Sequence, residues 1–273
     1  LAENTTLKTH KNMDLNLKGK NALVCGGSKG IGRACAQTLA QMGANVTIVA
    51  RSTEHLMEAL DSLSDHGNQK HDFLKADLSN PEDLKKKLKP VLESRTFHIL
   101  VNNAGGPPSG ALLSATDEDF LLAYRQHLLA NHTLASLVVP GMKKSGYGRI
   151  INIISTSVKA PLKGLGVSNT TRGAVASWAK TLSNEIAPFG ITVNNVLPGA
   201  TLTDRLQQII TQKAVKSDKD RIEIEQEMQS EIPMGRFASP LEVAAAVGFL
   251  ASPAASYITG INLPVDGGRT VCL

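Results

Sequence analysis

Aromatic residues are scarce in this chain, with one Trp, three Tyr and six Phe among 273 residues. A core must therefore be built mainly from Ala, Val, Ile and Leu, which suits helices packed on a buried parallel sheet. Cysteine is scarcer still. Cys25, Cys35 and Cys272 have no C-x-x-C spacing, so neither a metal site nor a disulfide framework is expected, and a reducing, cytoplasmic setting fits. No apolar run approaches the roughly 18 residues that a membrane span needs, so no membrane partner is expected. Residues 1–12 are polar and lack the apolar stretch of a signal peptide; they are expected to be a disordered leader or an expression appendage, with Met13 a plausible native start.

What the chain does have is ordinary globular composition. Hydrophobic residues make up 42% and charged residues 19%, which excludes disorder over most of the length. The formal charge of +5 invites nucleic acid as a partner. The charges are scattered, however, and the largest cluster, Lys85-Lys86-Lys87, lies between Leu84 and Leu88 as the solvated face of an amphipathic helix. No nucleic-acid partner is expected.

Short apolar runs alternate with longer amphipathic ones. Strands are expected at 22–25, 46–50, 73–74, 99–101, 149–154, 191–197 and 261–265. Helices are expected at 31–42, 54–63, from Pro81, 117–144, 168–186 and 240–251. Residues 203–231 look helical but polar, without a tidy apolar stripe, and are expected to form a mobile lid. End-to-end alternation of strand and helix predicts a single Rossmann-like α/β domain over 13–273, a doubly wound parallel sheet with helices on both faces.

The strongest motif is Cys25-Gly26-Gly27-Ser28-Lys29-Gly30-Ile31-Gly32, set between a strand and a helix. Glycines there let the chain approach a pyrophosphate, and the helix N-terminus offers free N–H groups. The spacing of Gly26, Gly30 and Gly32 resembles that of the short-chain dehydrogenase/reductase family. Asn102-Asn103-Ala104-Gly105 after the fourth strand, Asp77 after the third, Pro198-Gly199 with Thr203 after the sixth, and Val265-Asp266-Gly267-Gly268 near the C-terminus all resemble that family's landmarks. The flavour is that of the 3-oxoacyl-carrier-protein reductases, and the resemblance spans 17–268.

The resemblance implies cofactor contacts at Gly26, Ser28, Lys29, Gly30, Ile31 and Gly32, at Arg51 and Ser52, at Asp77 and Leu78, and at Asn103, Ala104 and Gly105. Further contacts are implied at Arg172, Pro198, Gly199, Thr201 and Thr203. The segment after the second strand, Val49-Ala50-Arg51-Ser52, offers an arginine and no acid, and Lys29 adds a second cation. Two cations at the ribose 2′ position favour a 2′-phosphate, so NADP(H) is expected in preference to NAD(H).

The catalytic positions depart from the family pattern of Ser, then Tyr thirteen residues on, then Lys four further on. Anchoring on Ile150-Ile151-Asn152-Ile153-Ile154-Ser155 maps the Ser to Ser155, the Tyr to Ser168 and the Lys to Arg172. Counting back from Gly141-Met142-Lys143 puts the family's helix Asn at His127, with Asn131 one turn later. A serine hydroxyl has none of a phenol's tunability, and Arg172 stays charged. His127, acting through water or Ser168, is expected to protonate the carbonyl oxygen while Ser155 and Arg172 hold substrate and cofactor. Lys159 and Lys163 could meet an anionic substrate. The expected function is an NADP(H)-dependent reductase acting on a small carbonyl or alcohol. The alternative is a catalytically silent relative acting as sensor or partner subunit, and a third option uses the cofactor for elimination or epimerisation. The resemblance also implies a homodimer or homotetramer.

Overall fold

The computed structural model describes residues 13–272; the expected leader lies outside the described residues. Strands β1 (Asn21–Cys25), β2 (Asn45–Ala50), β3 (Asp72–Lys75), β4 (Ile99–Asn102), β5 (Gly148–Ile153), β6 (Ile191–Pro198) and β7 (Asn262–Val265) make one parallel sheet in the order 3-2-1-4-5-6-7. The order reverses between β1 and β4, and that switch opens a crevice at the strand C-termini.

Both faces of the sheet are covered. Helices α1 (Gly30–Gln41), α2 (Thr53–Asp61) and α3 (Pro81–Ser94) follow the first three strands. After α4 (Asp117–Tyr124) come α5 (Ala130–Ser145), α6 (Gly166–Ile186), α7 (Asp204–Ser217), α8 (Arg221–Ser230) and α9 (Pro240–Ala251). One core joins α1, α2 and α9 to Val24, Ile48, Ile151 and Val196. The other joins α3, α5 and α6 to Leu23, Leu100, Ile150 and Val193. Both cores are mainly aliphatic, with Phe97 buried in the second, and each fully buried Leu or Ile is worth roughly 1.5–3 kcal/mol. On α3, Leu84 and Leu88 point inward, while Lys85 pairs with Glu82 and Lys87 with Asp83, each at 2.7 Å.

The expected helix at 117–144 is not one regular helix. A π-helical turn at Arg125–Leu129 separates α4 from α5. The expected polar lid also differs. Asp218, in the left-handed region at φ +52°, separates α7 from α8. Leu206 and Ile210 on α7 meet Ile224 and Met228 on α8, with Ile232 and Phe237 completing a small core of their own. An apolar stripe is therefore present, at i, i+4 spacing.

One polar feature crosses the sheet. Asn102 Nδ2 donates to Asn152 Oδ1, Asn152 Nδ2 to Asn195 Oδ1, and Asn195 Nδ2 to Asn262 Oδ1, each at 2.8 Å. The four asparagines are paired residues on β4, β5, β6 and β7. Among the described residues no helix is long and apolar enough to cross a membrane.

Candidate functional site

The strand C-termini open on a cleft of about 1120 Å³. Its floor begins at the turn between β1 and α1. A Cβ on Gly32 would sit 2.1 Å from the Gly26 carbonyl oxygen, and one on Gly26 would sit 2.6 Å from the Asn103 carbonyl oxygen. Only glycine allows this approach, and the Asn103 side chain seals it by donating to the Gly26 carbonyl at 3.2 Å. The N-terminus of α1 has Lys29 as cap, no side-chain capping bond and no acid in its first turn. Its free N–H groups and dipole are therefore available to an anion.

Every expected cofactor contact except Gly32 lines this cleft. Gly32 acts instead through the close packing just described. Lys29 and Arg51 are exposed at its rim. Asp77 accepts from the Ser79 N–H at 2.9 Å and from its hydroxyl at 2.8 Å. Partial burial opposes the Asp77 charge, but these bonds and the nearby Arg51 and Lys87 outweigh it and hold the carboxyl below its ordinary range. Cations dominate the lining. Lys29, Arg51, Lys163, Arg172, Arg205, Lys213, Lys216 and Arg269 stand against Asp77, Asp204 and Glu231, which suits a ligand of several negative charges. Size, the uncapped helix and the cations together fit a dinucleotide.

Two of the four expected catalytic residues reach the cleft. Ser155 follows β5, and its Oγ accepts the Ser157 N–H at 3.1 Å. Arg172, on α6, is buried and donates from Nη1 to the Ile153 carbonyl at 3.0 Å, while its Nε has no partner. Burial lowers the Arg172 pKa to about 10, so it stays protonated at neutral pH. Ser168 is half-buried and does not line the cleft.

The expectation for His127 is corrected by its placement. The side chain is 2% exposed and does not line the cleft. Desolvation and the Arg172 charge push its pKa down to about 2, against a hydrogen bond with the Gly105 backbone that favours the proton. An imidazolium is therefore not available there at neutral pH. Its neighbour Gln126 lines the cleft instead. A π-helical turn holds an extra residue, and each residue rotates the helical face by about 100°. Counting residues back from Gly141-Met142-Lys143 arrives at His127, whereas Gln126 is the member of the pair that lines the cleft.

Sequence reasoning also missed the contacts that bring α7 over the site. Arg205 Nη2 donates to the Pro107 carbonyl at 2.8 Å, and Ser109 Oγ donates to Gln212 Oε1 at 3.1 Å. Both tie α7 to the loop after β4. Thr203 caps α7, accepting from the Leu206 N–H at 3.3 Å. No composition signal marks such pairs, because their partners lie about a hundred residues apart.

Comparison with known proteins places the chain. A family profile described as "Enoyl-(Acyl carrier protein) reductase" matches residues 26–270. The 3-oxoacyl-[acyl-carrier-protein] reductase FabG of Vibrio cholerae is 36% identical over 257 residues, covering 93% of this chain and 98% of that protein. The chain belongs to the short-chain dehydrogenase/reductase family. Among solved members of the family, L-sorbose reductase from Gluconobacter frateurii, complexed with NADPH and L-sorbose, superposes with a TM-score of 0.90 at 34% identity. That match covers 96% of this chain and all of the other. YwfH, an NADPH-dependent reductase involved in bacilysin biosynthesis, superposes with a TM-score of 0.88 at 30% identity, covering 93% and 99%.

Proposed function

We propose that this short-chain dehydrogenase/reductase binds NADP(H) and reduces a small carbonyl compound without a tyrosine acid. The observation that carries the reading is the uncapped N-terminus of α1 flanked by Lys29 and Arg51, with no acid at the position after β2. Lys29 and Arg51 hold a 2′-phosphate, and the N–H groups of α1 hold the pyrophosphate. Solved relatives complexed with NADPH support the same choice.

The bound dinucleotide supplies the hydride. Ser155 supplies the hydrogen bond to the carbonyl oxygen. Its Oγ already accepts the Ser157 N–H, so its own proton is free to point at substrate. The developing alkoxide takes that proton, and cleft water restores it to Ser155. Arg172 keeps its remaining donors for ribose hydroxyls and adds positive potential at the reacting oxygen. Ser168 and His127 have no direct part in this scheme. Exposed Leu121, Leu122 and Leu129 support association into a homodimer or homotetramer. The free thiols of Cys25, Cys35 and Cys272 support a cytoplasmic setting.

A second reading, a silent nucleotide-binding relative, is favoured by one observation. Among the described residues lining the cleft there is no tyrosine. Fluorescence titration with NADPH, followed by its oxidation against ketoses, simple ketones and 3-oxoacyl thioesters, separates the two. Tight binding with turnover is the expected result. Binding without turnover on any carbonyl supports the silent reading, and no binding overturns both.

A further inference from the structure

The cleft carries more positive charge than a dinucleotide uses. In the proposed reductase, Lys29, Arg51 and Arg172 serve the dinucleotide. Two further cations are engaged within the chain: Arg205 donates to the Pro107 carbonyl, and Arg269 pairs with Glu231. Lys163, Lys213 and Lys216 remain. All three are exposed and line the cleft. Among the described residues none of them forms an ion pair. Lys159, expected beside Lys163, does not line the cleft.

The helix accounts for the direction of these lysines but not for their isolation. On α7, Arg205, Ile209, Gln212 and Lys216 recur at three- and four-residue spacing, so they share the face that lines the cleft. Leu206 and Ile210 turn away into the core shared with α8. Elsewhere exposed lysines have acids one turn away, as Lys85 has Glu82, Lys87 has Asp83 and Lys219 has Glu223. One turn before Lys213 and Lys216, where such acids would stand, α7 has Ile209, Ile210 and Gln212. Two lysines a turn apart repel each other. The helix dipole favours a cation at Lys216, in the last turn of α7. It does not account for Lys163, which reaches the same cleft from the segment after β5.

We propose that the substrate is a small carbonyl compound with a carboxylate or phosphate at the end remote from its carbonyl, and that Lys163, Lys213 and Lys216 hold that anion. This rests on the reductase reading. Three ammonium groups without internal partners can take an anion with no existing ion pair to break. A cleft lined by one sign of charge also concentrates ligands of the other. The lysines are exposed and Ser155 is half-buried, so the anion stays at the mouth while the carbonyl enters. Among the described residues no Phe, Tyr or Trp lines the cleft, whereas Gln126 and Gln208 do. That lining suits a short polar body better than a long acyl chain.

Two matched pairs test the proposal: 5-oxohexanoate against 2-hexanone, and dihydroxyacetone phosphate against dihydroxyacetone. Each compound is measured as a ligand of the NADP+-saturated chain by saturation-transfer NMR, and as a substrate by NADPH oxidation. In at least one pair the anion should bind about tenfold more tightly than its neutral partner and show about tenfold higher kcat/KM, carried by KM. The pair that shows the preference names the anion. Added salt should shrink it. In the combined variant Lys163→Gln, Lys213→Gln and Lys216→Gln, both ratios should fall to within about twofold of one. The proposal is overturned if neither anion is preferred, or if the variant keeps the preference. NADPH titration of the variant should match that of the native chain. A loss of about fivefold or more would mean that these lysines read the dinucleotide, and would also overturn the proposal. Lysine-dependent anion binding without turnover keeps the anion site and fails the reductase reading alone. Turnover without anion preference does the reverse.

Discussion

Arg172 Nη1 donates to the Ile153 carbonyl at 3.0 Å, and the same guanidinium helps to keep the His127 imidazole neutral. One buried cation thus braces the end of β5, two residues before Ser155, and adds to the burial that keeps its neighbour neutral. Arg172→Met should weaken NADPH binding by at least tenfold. The loss of stability should stay within about 2 kcal/mol, because the Ile153 carbonyl loses one partner while a buried charge is removed. Parallel fluorescence titration and urea unfolding check the two effects, and an unchanged affinity would remove Arg172 from the cofactor site.

His127 yields a pH prediction. Above about pH 6.5 the imidazole is neutral in both folded and unfolded chains. As pH falls below that value the unfolded chain takes a proton, and the folded chain refuses it until about 2. Stability should therefore fall with decreasing pH by up to about 1.4 kcal/mol per unit from this residue. His127→Gln should flatten the urea-unfolding slope between pH 6 and pH 5 by that one-proton amount. Its activity profile between pH 6 and pH 8 should match the native one, and a shifted profile would restore His127 to the chemistry.

The legible and illegible parts of the chain differ for physical reasons. The helix at 240–251 could be read to the residue, because Ser239 and Glu242 form a capping box and Pro240 opens the first turn. Signals of that kind are local. The turn at Arg125–Leu129 carries no such mark, since nothing in Arg-Gln-His-Leu-Leu distinguishes a π turn from an α turn. The sequence therefore gives no sign that His127 is enclosed while its neighbour Gln126 lines the cleft. In 203–231 the small core of Leu206, Ile210, Ile224 and Met228 is diluted by charged neighbours and interrupted at Asp218. The glycine turn was readable because close approach admits one residue type.

Cofactor choice rests on Lys29 and Arg51. Lys29→Ala with Arg51→Ala should weaken NADPH binding by about 10- to 100-fold while leaving NADH nearly unchanged, as expected for lost charge-assisted bonds to a 2′-phosphate. Arg51→Asp should move the preference towards NADH. Titration of both dinucleotides measures the ratio, and equal losses for the two would show that neither cation reads the phosphate.

Ser155→Ala should lower kcat by about 100-fold or more with NADPH affinity intact, since the proposed role of the lost hydroxyl is towards the substrate oxygen and its other contact is the Ser157 N–H. Arg205→Ala breaks the contact with the Pro107 carbonyl and should raise KM more than it lowers kcat. Steady-state kinetics on the best carbonyl found in the panel distinguish the two patterns.

The asparagines of β4 to β7 bear on how the cleft is kept in shape. A parallel strand with long apolar stretches can slide by two residues and still bury the same faces. It cannot slide and keep Asn102, Asn152, Asn195 and Asn262 opposite one another. Every amide points the same way along the row, so turning over Asn152 or Asn195 breaks bonds on both sides. The row acts as a ratchet with one tooth per strand. It fixes the stagger of the four strand ends that present Asn103, Ser155 and Pro198, and a displaced β7 would misplace chemistry several strands away.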